Sequence, residues 1–263
     1  MSVYLFGIVR ADMAPAATEA IAQAQGSRDL DAARALRIGQ VALLLSDVLV
    51  AEIKPNRRNL LAHMRALEAM QTLGDVLPAR FGQIFENDTA LTALIAPRGA
   101  TIEAELERLS GLTEISARVA TRRETAVAAL TAEHPELRQR YREIAAKGDA
   151  GHFELIELGR ETATQLQAWR GTAEAVLVSA LRQVAIDYRQ SGASEDTELL
   201  RADFLIARAQ LSAFEQALGE ALKELPLLTA GDVEARLVGP APPASFVRID
   251  FSDLGAASLG SAA

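Results

Sequence analysis

The distribution of apolar residues predicts an α+β protein of two domains, the second ferredoxin-like with a long helical hairpin inserted into it. Three observations carry that prediction. Short apolar or alternating runs, at 3–9, 38–46, 113–120 and 199–207, have the length and period of strands. Amphipathic stretches with a helical period lie between them. From Arg122 to about residue 190 the pattern is wholly helical before strands return. The second half therefore runs strand, helical hairpin, strand, helix, strand, the order of a split βαβ unit whose first crossover has been stretched. The expected boundary gives domains at 1–118 and 119–263, with the hairpin at about 122–190.

Each element has a local reason. Val3–Val9 is a nearly continuous apolar run, as in a strand buried on both faces. Residues 14–24 are weakly helical, and Ile38–Ser46 reads as a second strand. KPNRRN (54–59) is a polar turn, with Asn59 placed to cap a helix. Leu60, Met64, Leu67 and Gln71, with Leu61 and Met70 beside them, mark the apolar line of that helix, and Gly74 ends it. Pro78 and Gly82 bracket a short strand in DVLPARFGQIF (75–85). Asp88 and Thr101 are the expected caps of two further helices, and TEISARVA (113–120) alternates as a strand.

His134–Pro135 breaks the helical region, and Gly148–Gly151 makes its tight loop. Beyond it, Leu166, Trp169, Ala173, Val176, Leu177, Ala180 and Val184 recur at three- and four-residue steps along a helix expected over 153–190. That seam predicts packing against the helices at 122–147 or against a partner. SGASED (191–196) reads as a loop, 199–207 as a strand, and Leu211, Phe214, Leu218, Leu222 and Leu225 as the core side of a helix. In VGPAPPASFVRIDF (238–251), three prolines predict a stiff arm at Gly239–Pro243 that delivers a strand starting at Ser245. Phe246 is then expected to plug the second domain's core, with Arg248 and Asp250 on the same face. GAASLGSAA is expected to fray.

Composition narrows the function. The chain has 263 residues, 49% of them apolar and 24% charged, the balance of a folded globular protein. A net charge of −8 argues against nucleic acid and anionic membranes as general partners, because both select a basic surface. With no cysteine, disulfides, thiolate catalysis and zinc–thiolate sites are excluded. No apolar run reaches the ~20 residues of a membrane span, and the N-terminus lacks a signal peptide's basic start, so a cytoplasmic location is expected.

The search for chemistry returns little. His63, His134 and His152 lack metal-ligand spacing, and no nucleotide cradle or nucleophile elbow occurs. Glu103, Glu105 and Glu107 near Arg108 read as a solvated helix face rather than acid–base machinery. Arg57–Arg58 and the Arg138, Arg140, Arg142 group read likewise. No catalytic residue, metal ligand or cofactor site is expected, and the chain is read as no enzyme.

Two rigid motifs remain, LPARFG (77–82) and GPAPPASFV (239–247). With these the chain resembles the GvpL/GvpF family of gas vesicle accessory proteins. The likeness runs through the opening VYLFGIV and then Val76, Leu77, Pro78, Arg80, Phe81, Gly82, Ile84 and Phe85. An E-L-x-R-L-x-G-x-x-E run follows, matched by Glu105, Leu106, Arg108, Leu109, Gly111 and Glu114. ADFLI and then Gly239, Pro240, Pro242, Pro243, Ser245, Phe246 and Val247 close it. Ala241 and Ala244 stand where the family often has tryptophan and tyrosine, which removes two aromatic anchors. The resemblance implies a non-enzymatic role in gas vesicle assembly, with contacts to the shell protein and other accessory proteins. It marks Leu77, Pro78, Arg80, Phe81, Gly82, Gly239, Pro240, Pro242, Pro243 and Phe246 as signature positions open to partner contact. Two other classes stay compatible with the residues alone: a small-molecule enzyme or ligand-binding protein using a ferredoxin-like domain, and a helical-hairpin scaffold outside vesicle biology.

Overall fold

A computed structural model describes residues 1–24, 30, 33–50, 52–191 and 197–249. The chain divides into two compact units. The first is Met1–Glu114 together with the chain from Pro240 onward, and the second is Ile115–Gly239. The Pro-rich motif thus belongs with the first unit, whereas its position in the sequence suggests the second.

In the first unit the central strand is β1 (Ser2–Arg10), buried without interruption from Val3 to Val9. It pairs antiparallel with β3 (Val41–Val48) on one side, and with β4 (Val76–Pro78) and β5 (Ile84–Phe85) on the other. The strand β2 (Ala33–Ile38) completes the sheet in the order β2-β3-β1-β4. A register shift between Leu5 and Gly7 puts one extra residue in β1, and Tyr4, Phe6 and Val9 consequently share a face. That face is covered by α1 (Ala14–Ala24) and α2 (Arg57–Leu73), through Ala17, Ile21, Ala62, Ala66 and Met70. α3 (Asp88–Ile95) and α4 (Gly99–Arg108) pack along the same sheet, α4 against β1, β3 and β4.

Several local expectations need correction here. β2 goes unpredicted because its half-exposed edge carries arginines rather than a clean alternation. Arg34 on that edge forks to Asp47 (2.8 Å) and Asp88 (2.7 Å), a charged rim of the kind that discourages edge-to-edge pairing. Asn56, not Asn59, caps α2 by accepting from the Asn59 N–H at 2.9 Å, and Asn87, not Asp88, caps α3 in the same way. Thr101 lies inside α4. Leu60, Leu61 and Met64 are exposed (38%, 38% and 48%), while Ala62, His63 and Ala66 face the sheet. The aromatic rings of Tyr4 and Phe6 already fill the space there, so the helix approaches with its small side chains.

The second unit is built on β6 (Leu112–Thr121), β7 (Asp187–Gln190), β8 (Glu198–Ala207) and β9 (Val233–Ala241), ordered β7-β8-β6-β9. Each sheet therefore places its second, third, first and fourth strands side by side in that sequence. Between β6 and β7 come α5 (Arg123–Glu133), α6 (Pro135–Ala145) and the 30-residue α7 (His152–Leu181), and α8 (Leu211–Lys223) joins β8 to β9. At 1.5 Å per residue α7 is ~45 Å long. It stops at Leu181 rather than near 190, although no glycine or proline intervenes. Instead the chain re-pairs: the Ile186 N–H donates to the Leu205 carbonyl, and Tyr188 stacks on Phe204 across the β7–β8 ladder. Sheet pairing outweighs helix propensity there.

The seam of α7 is divided between two clusters. Leu158, with Leu155 and Leu166, packs on Leu130, Leu137 and Ile144 of α5 and α6. Trp169, Ala173, Leu177 and Leu181 instead enter the sheet core beside Phe204, Phe214 and Leu218. The expected zip against the 122–147 helices holds for the first half of α7 only. Trp169 donates its indole N–H to the Pro226 carbonyl at 2.8 Å, so its polar edge is satisfied within that core. Asp250, Phe251, the expected tail and most of SGASED lie outside the described residues.

Leu177 is fully buried and Val176 only half-buried. Leu177→Ala should therefore lose about 2–5 kcal/mol of stability in urea titration, and Val176→Ala less than about 1 kcal/mol. Equal losses would show that the second half of α7 does not face the core.

Candidate partner-contact site

The LPARFG segment is pinned from beneath by a hydrogen-bond chain that begins on β1. The Tyr4 hydroxyl lies 2.8 Å from His63 Nδ1, and His63 Nε2 lies 3.1 Å from the Ala79 carbonyl. The Gly82 N–H reaches the Tyr4 oxygen at 3.4 Å. Burial disfavours the charged imidazole and pushes the His63 pKa down to about 4, against a weaker opposing effect of the Ala79 carbonyl. The ring is thus neutral near pH 7: Nε2–H donates to Ala79, and Nδ1 accepts the tyrosine proton. Burial also pushes the Tyr4 hydroxyl up, so it stays protonated and able to donate. Tyr4, Phe6, His63 and Phe81 surround this chain at ring separations of 5.1 to 6.2 Å.

Two glycines make the arrangement possible. Gly7 sits opposite Pro78, and a Cβ there would come within 2.8 Å of the Leu77 carbonyl. Gly82 turns the loop with φ of 88°, a left-handed conformation that other residues resist. Leu77 and Pro78 are consequently buried, Phe81 is half-buried, and Arg80 and Gly82 face solvent.

The closing motif is held by a second cluster, also within the first unit. Glu114 accepts from the Ser245 N–H and the Ser245 hydroxyl, both at 2.8 Å. Arg108 grips Glu105 through two bonds of 2.7 Å and donates a third of 2.7 Å to the Phe246 carbonyl. Glu105 in turn accepts from the Arg248 N–H at 2.6 Å, and the Thr113 hydroxyl donates to the Ala241 carbonyl at 2.9 Å. Burial raises the Glu105 carboxyl, but Arg108 and the Arg248 amide together outweigh it and hold the group below its ordinary range. Glu105 on α4 and Glu114 on β6 are 7% and 8% exposed, so Glu105 does not belong to a solvated helix face as expected. They serve as acceptors for backbone amides.

This geometry corrects the expected strap. The strand precedes the proline pair, since β9 runs through Gly239 and Pro240 to Ala241. Ser245 lies in a 3-10 turn at Ala244–Phe246 instead of opening a strand. Phe246 is buried (2% exposed), but its segment belongs to the first unit rather than the second. Pro242 and Pro243 are buried as well, so they pack in addition to stiffening the chain. Gly239 and Pro240 are exposed. Sequence reasoning missed Tyr4 and His63 because a lone histidine on an amphipathic helix carries no partner in its own neighbourhood; the partner is 59 residues away. Among the described residues, no cluster of His, Asp or Glu has the makings of a metal site, and no helix is long and apolar enough to cross a membrane.

Two outcomes follow from these clusters. The unfolded chain takes up a proton at His63 from its ordinary value of 6.5 downward, whereas the folded chain resists until about 4. Stability should therefore fall as pH drops through that window, with a slope approaching about 1.4 kcal/mol per pH unit. His63→Gln should flatten that part of the profile in denaturant titrations at stepped pH. For the strap, Phe246→Ala should cost about 3–5 kcal/mol and Glu114→Ala about 1.5–3 kcal/mol. A neutral Glu114→Ala would mean that the Ser245 bonds do not hold the turn.

The architecture and the motifs both have counterparts. The family model for "Gas vesicle synthesis protein GvpL/GvpF" matches residues 2–248. Gas vesicle protein F of a Streptomyces species is 30% identical over 249 residues, covering 94% of this chain and 100% of that protein. Gas vesicle protein F of a Nostoc species is 26% identical over 164 residues, covering 61% of this chain and 67% of that one. The crystal structure of GvpF from an Anabaena species shares the fold with a TM-score of 0.75 at 22% identity, covering 95% of this chain and 97% of that one. The structure of GvpF from Microcystis aeruginosa does so with 0.71 at 20%, covering 94% and 99%. With its opening strand, pinned loop and clamped closing turn all inside the matched span, the chain belongs to the GvpL/GvpF family of gas vesicle synthesis proteins.

Proposed function

We propose that this protein is a non-enzymatic accessory of gas vesicle formation, working in the cytoplasm in contact with the shell protein and with other accessory proteins. The observation that carries the reading is the treatment of the two signature segments. Each is fixed by hydrogen bonds to side chains that are themselves buried or largely so, while a few of its residues, Arg80 and Gly82 in one and Gly239, Pro240 and Ala244 in the other, face outward. Rigid presentation of this kind lowers the ordering cost of binding a partner. In both clusters the titratable groups are engaged by backbone amides and carbonyls, an arrangement suited to holding shape. With Ala241 and Ala244 there and Phe246 buried, the closing turn exposes no large ring, so contact there would rest on backbone and proline surface.

We further infer that each unit is a ferredoxin-like element. Support comes from the shared strand order and from the alternation of strand, helix, strand, strand, helix, strand in both. The helices between β6 and β7 then form a stretched first crossover.

Deleting the gene should abolish or stunt gas vesicles, seen by electron microscopy, while growth otherwise continues. A complementing copy carrying Arg80→Glu should still fold, shown by an unchanged far-UV circular dichroism spectrum, yet restore fewer vesicles. Normal vesicles in the deletion strain would overturn the assembly reading.

A further inference from the structure

The three helices of the crossover form a bundle with one side left open. α5, α6 and α7 all touch one another, yet their shared core has only Leu130, Leu137, Ile144 and Leu158 buried. On the open side lies a groove of about 520 Å³, with Leu137 and Leu158 as its floor and Val127, Tyr141, Leu155 and Leu166 as its walls. From Leu155 to Leu166 it follows α7 for ~16 Å, three helical turns. Tyr141 is 58% exposed there although its ring is largely apolar.

We propose that this groove receives an amphipathic helix of a partner protein, with apolar residues at three- and four-residue steps and acidic residues along its edge. The inference rests on the assembly reading above and names the chemistry of one partner. Three features select that occupant. First, the lining is mostly apolar: its two threonine hydroxyls are bonded to the Val127 and Leu158 carbonyls of their own helices at 2.9 and 2.8 Å, and its other polar groups are the Tyr141 hydroxyl and two guanidiniums, too few to cradle a small polar ligand. Recognition must come from apolar shape, as in helix-in-groove binding. Second, the charged residues among those lining it are Arg123 and Arg138, in a chain whose net charge is −8. Complementarity therefore calls for carboxylates on the incoming edge. Third, Gly159 lines the groove at mid-helix, where a Cβ would meet nothing. Glycine there weakens α7 and relieves no crowding within the chain. It does leave α7 bare where a second helix backbone would lie closest. A fourth helix in this place would complete the bundle.

The test uses the full chain in cells assembling vesicles. A photo-cross-linking benzoylphenylalanine at position 163 should form an adduct that mass spectrometry maps to an acidic amphipathic helix of another protein. Arg138→Glu should lower the adduct yield about tenfold, and Arg138→Lys should largely preserve it. Gly159→Leu should raise the melting temperature by roughly 2–4 °C, because it removes a helix-weakening residue, and should abolish the adduct. An adduct with a second copy of this chain, with a lipid, or with nothing would overturn the proposal. So would full vesicle rescue by the Gly159→Leu protein in a deletion strain that lacks vesicles, and in that case the assembly reading would stand. Normal vesicles in the deletion strain would remove the assembly reading itself, whatever the adduct.

Discussion

The first unit depends on a single strand being dry on both faces. β1 has β3 along one edge and β4 with β5 along the other, and helices cover its surfaces. Seven successive buried residues leave no position for a charge. The same strand supplies the Tyr4 hydroxyl that reaches His63, the Phe6 carbonyl that receives the Ala79 N–H, and the glycine that lets β4 approach. The pinned loop is thus an outgrowth of how β1 is buried.

Carboxylates in the closing cluster, one on α4 and one on β6, invert the usual expectation that acidic residues face water. Glu105 and Glu114 are nearly inaccessible and each faces backbone donors, so their ionisation is offset by directed bonds rather than by water. Arg108 links the two ends of the cluster, since the guanidinium that neutralises Glu105 also reaches the Phe246 carbonyl. Removing Arg108 would leave the Glu105 carboxylate buried without its counter-charge, and removing Glu105 would take the acceptor from the Arg248 amide.

Elements defined by their own composition were legible in the sequence, and those defined by distant partners were not. The run Val3–Val9, the alternation of TEISARVA, the break at His134–Pro135 and the apolar face of 211–225 all carry their signal locally, and all appear where expected. β2 and β7 do not. Both are edge strands with arginines in them, and each exists because a neighbouring strand offers it a ladder. The seam of α7 has a single period throughout, so nothing in it shows that the helix passes from one core to another near Trp169. At the candidate site the rigid motifs were visible as prolines and glycines, while the residues that fasten them lay in other segments. The closing strap was read in the wrong direction because the alternation after Ser245 has a strand's period, yet backbone bonds to Glu105 and Glu114 draw that chain into a turn.

The chain leaves the first unit after Glu114 and returns to it at Pro240, so the second unit is an insertion within the first. Arg108 and the Phe246 carbonyl it grips are 138 residues apart. On a ribosome adding ~5–20 residues per second, roughly 7–28 s pass between the synthesis of the clamp and that of the segment it holds. During that interval the inserted unit is made and, once Gly239 has been added, has its whole sequence available to fold, while Glu105 and Glu114 wait for the Arg248 and Ser245 amides. The segment that completes the first unit is therefore made after the whole of the inserted one, and a nascent chain matures its outer unit only after its inner one has been synthesised.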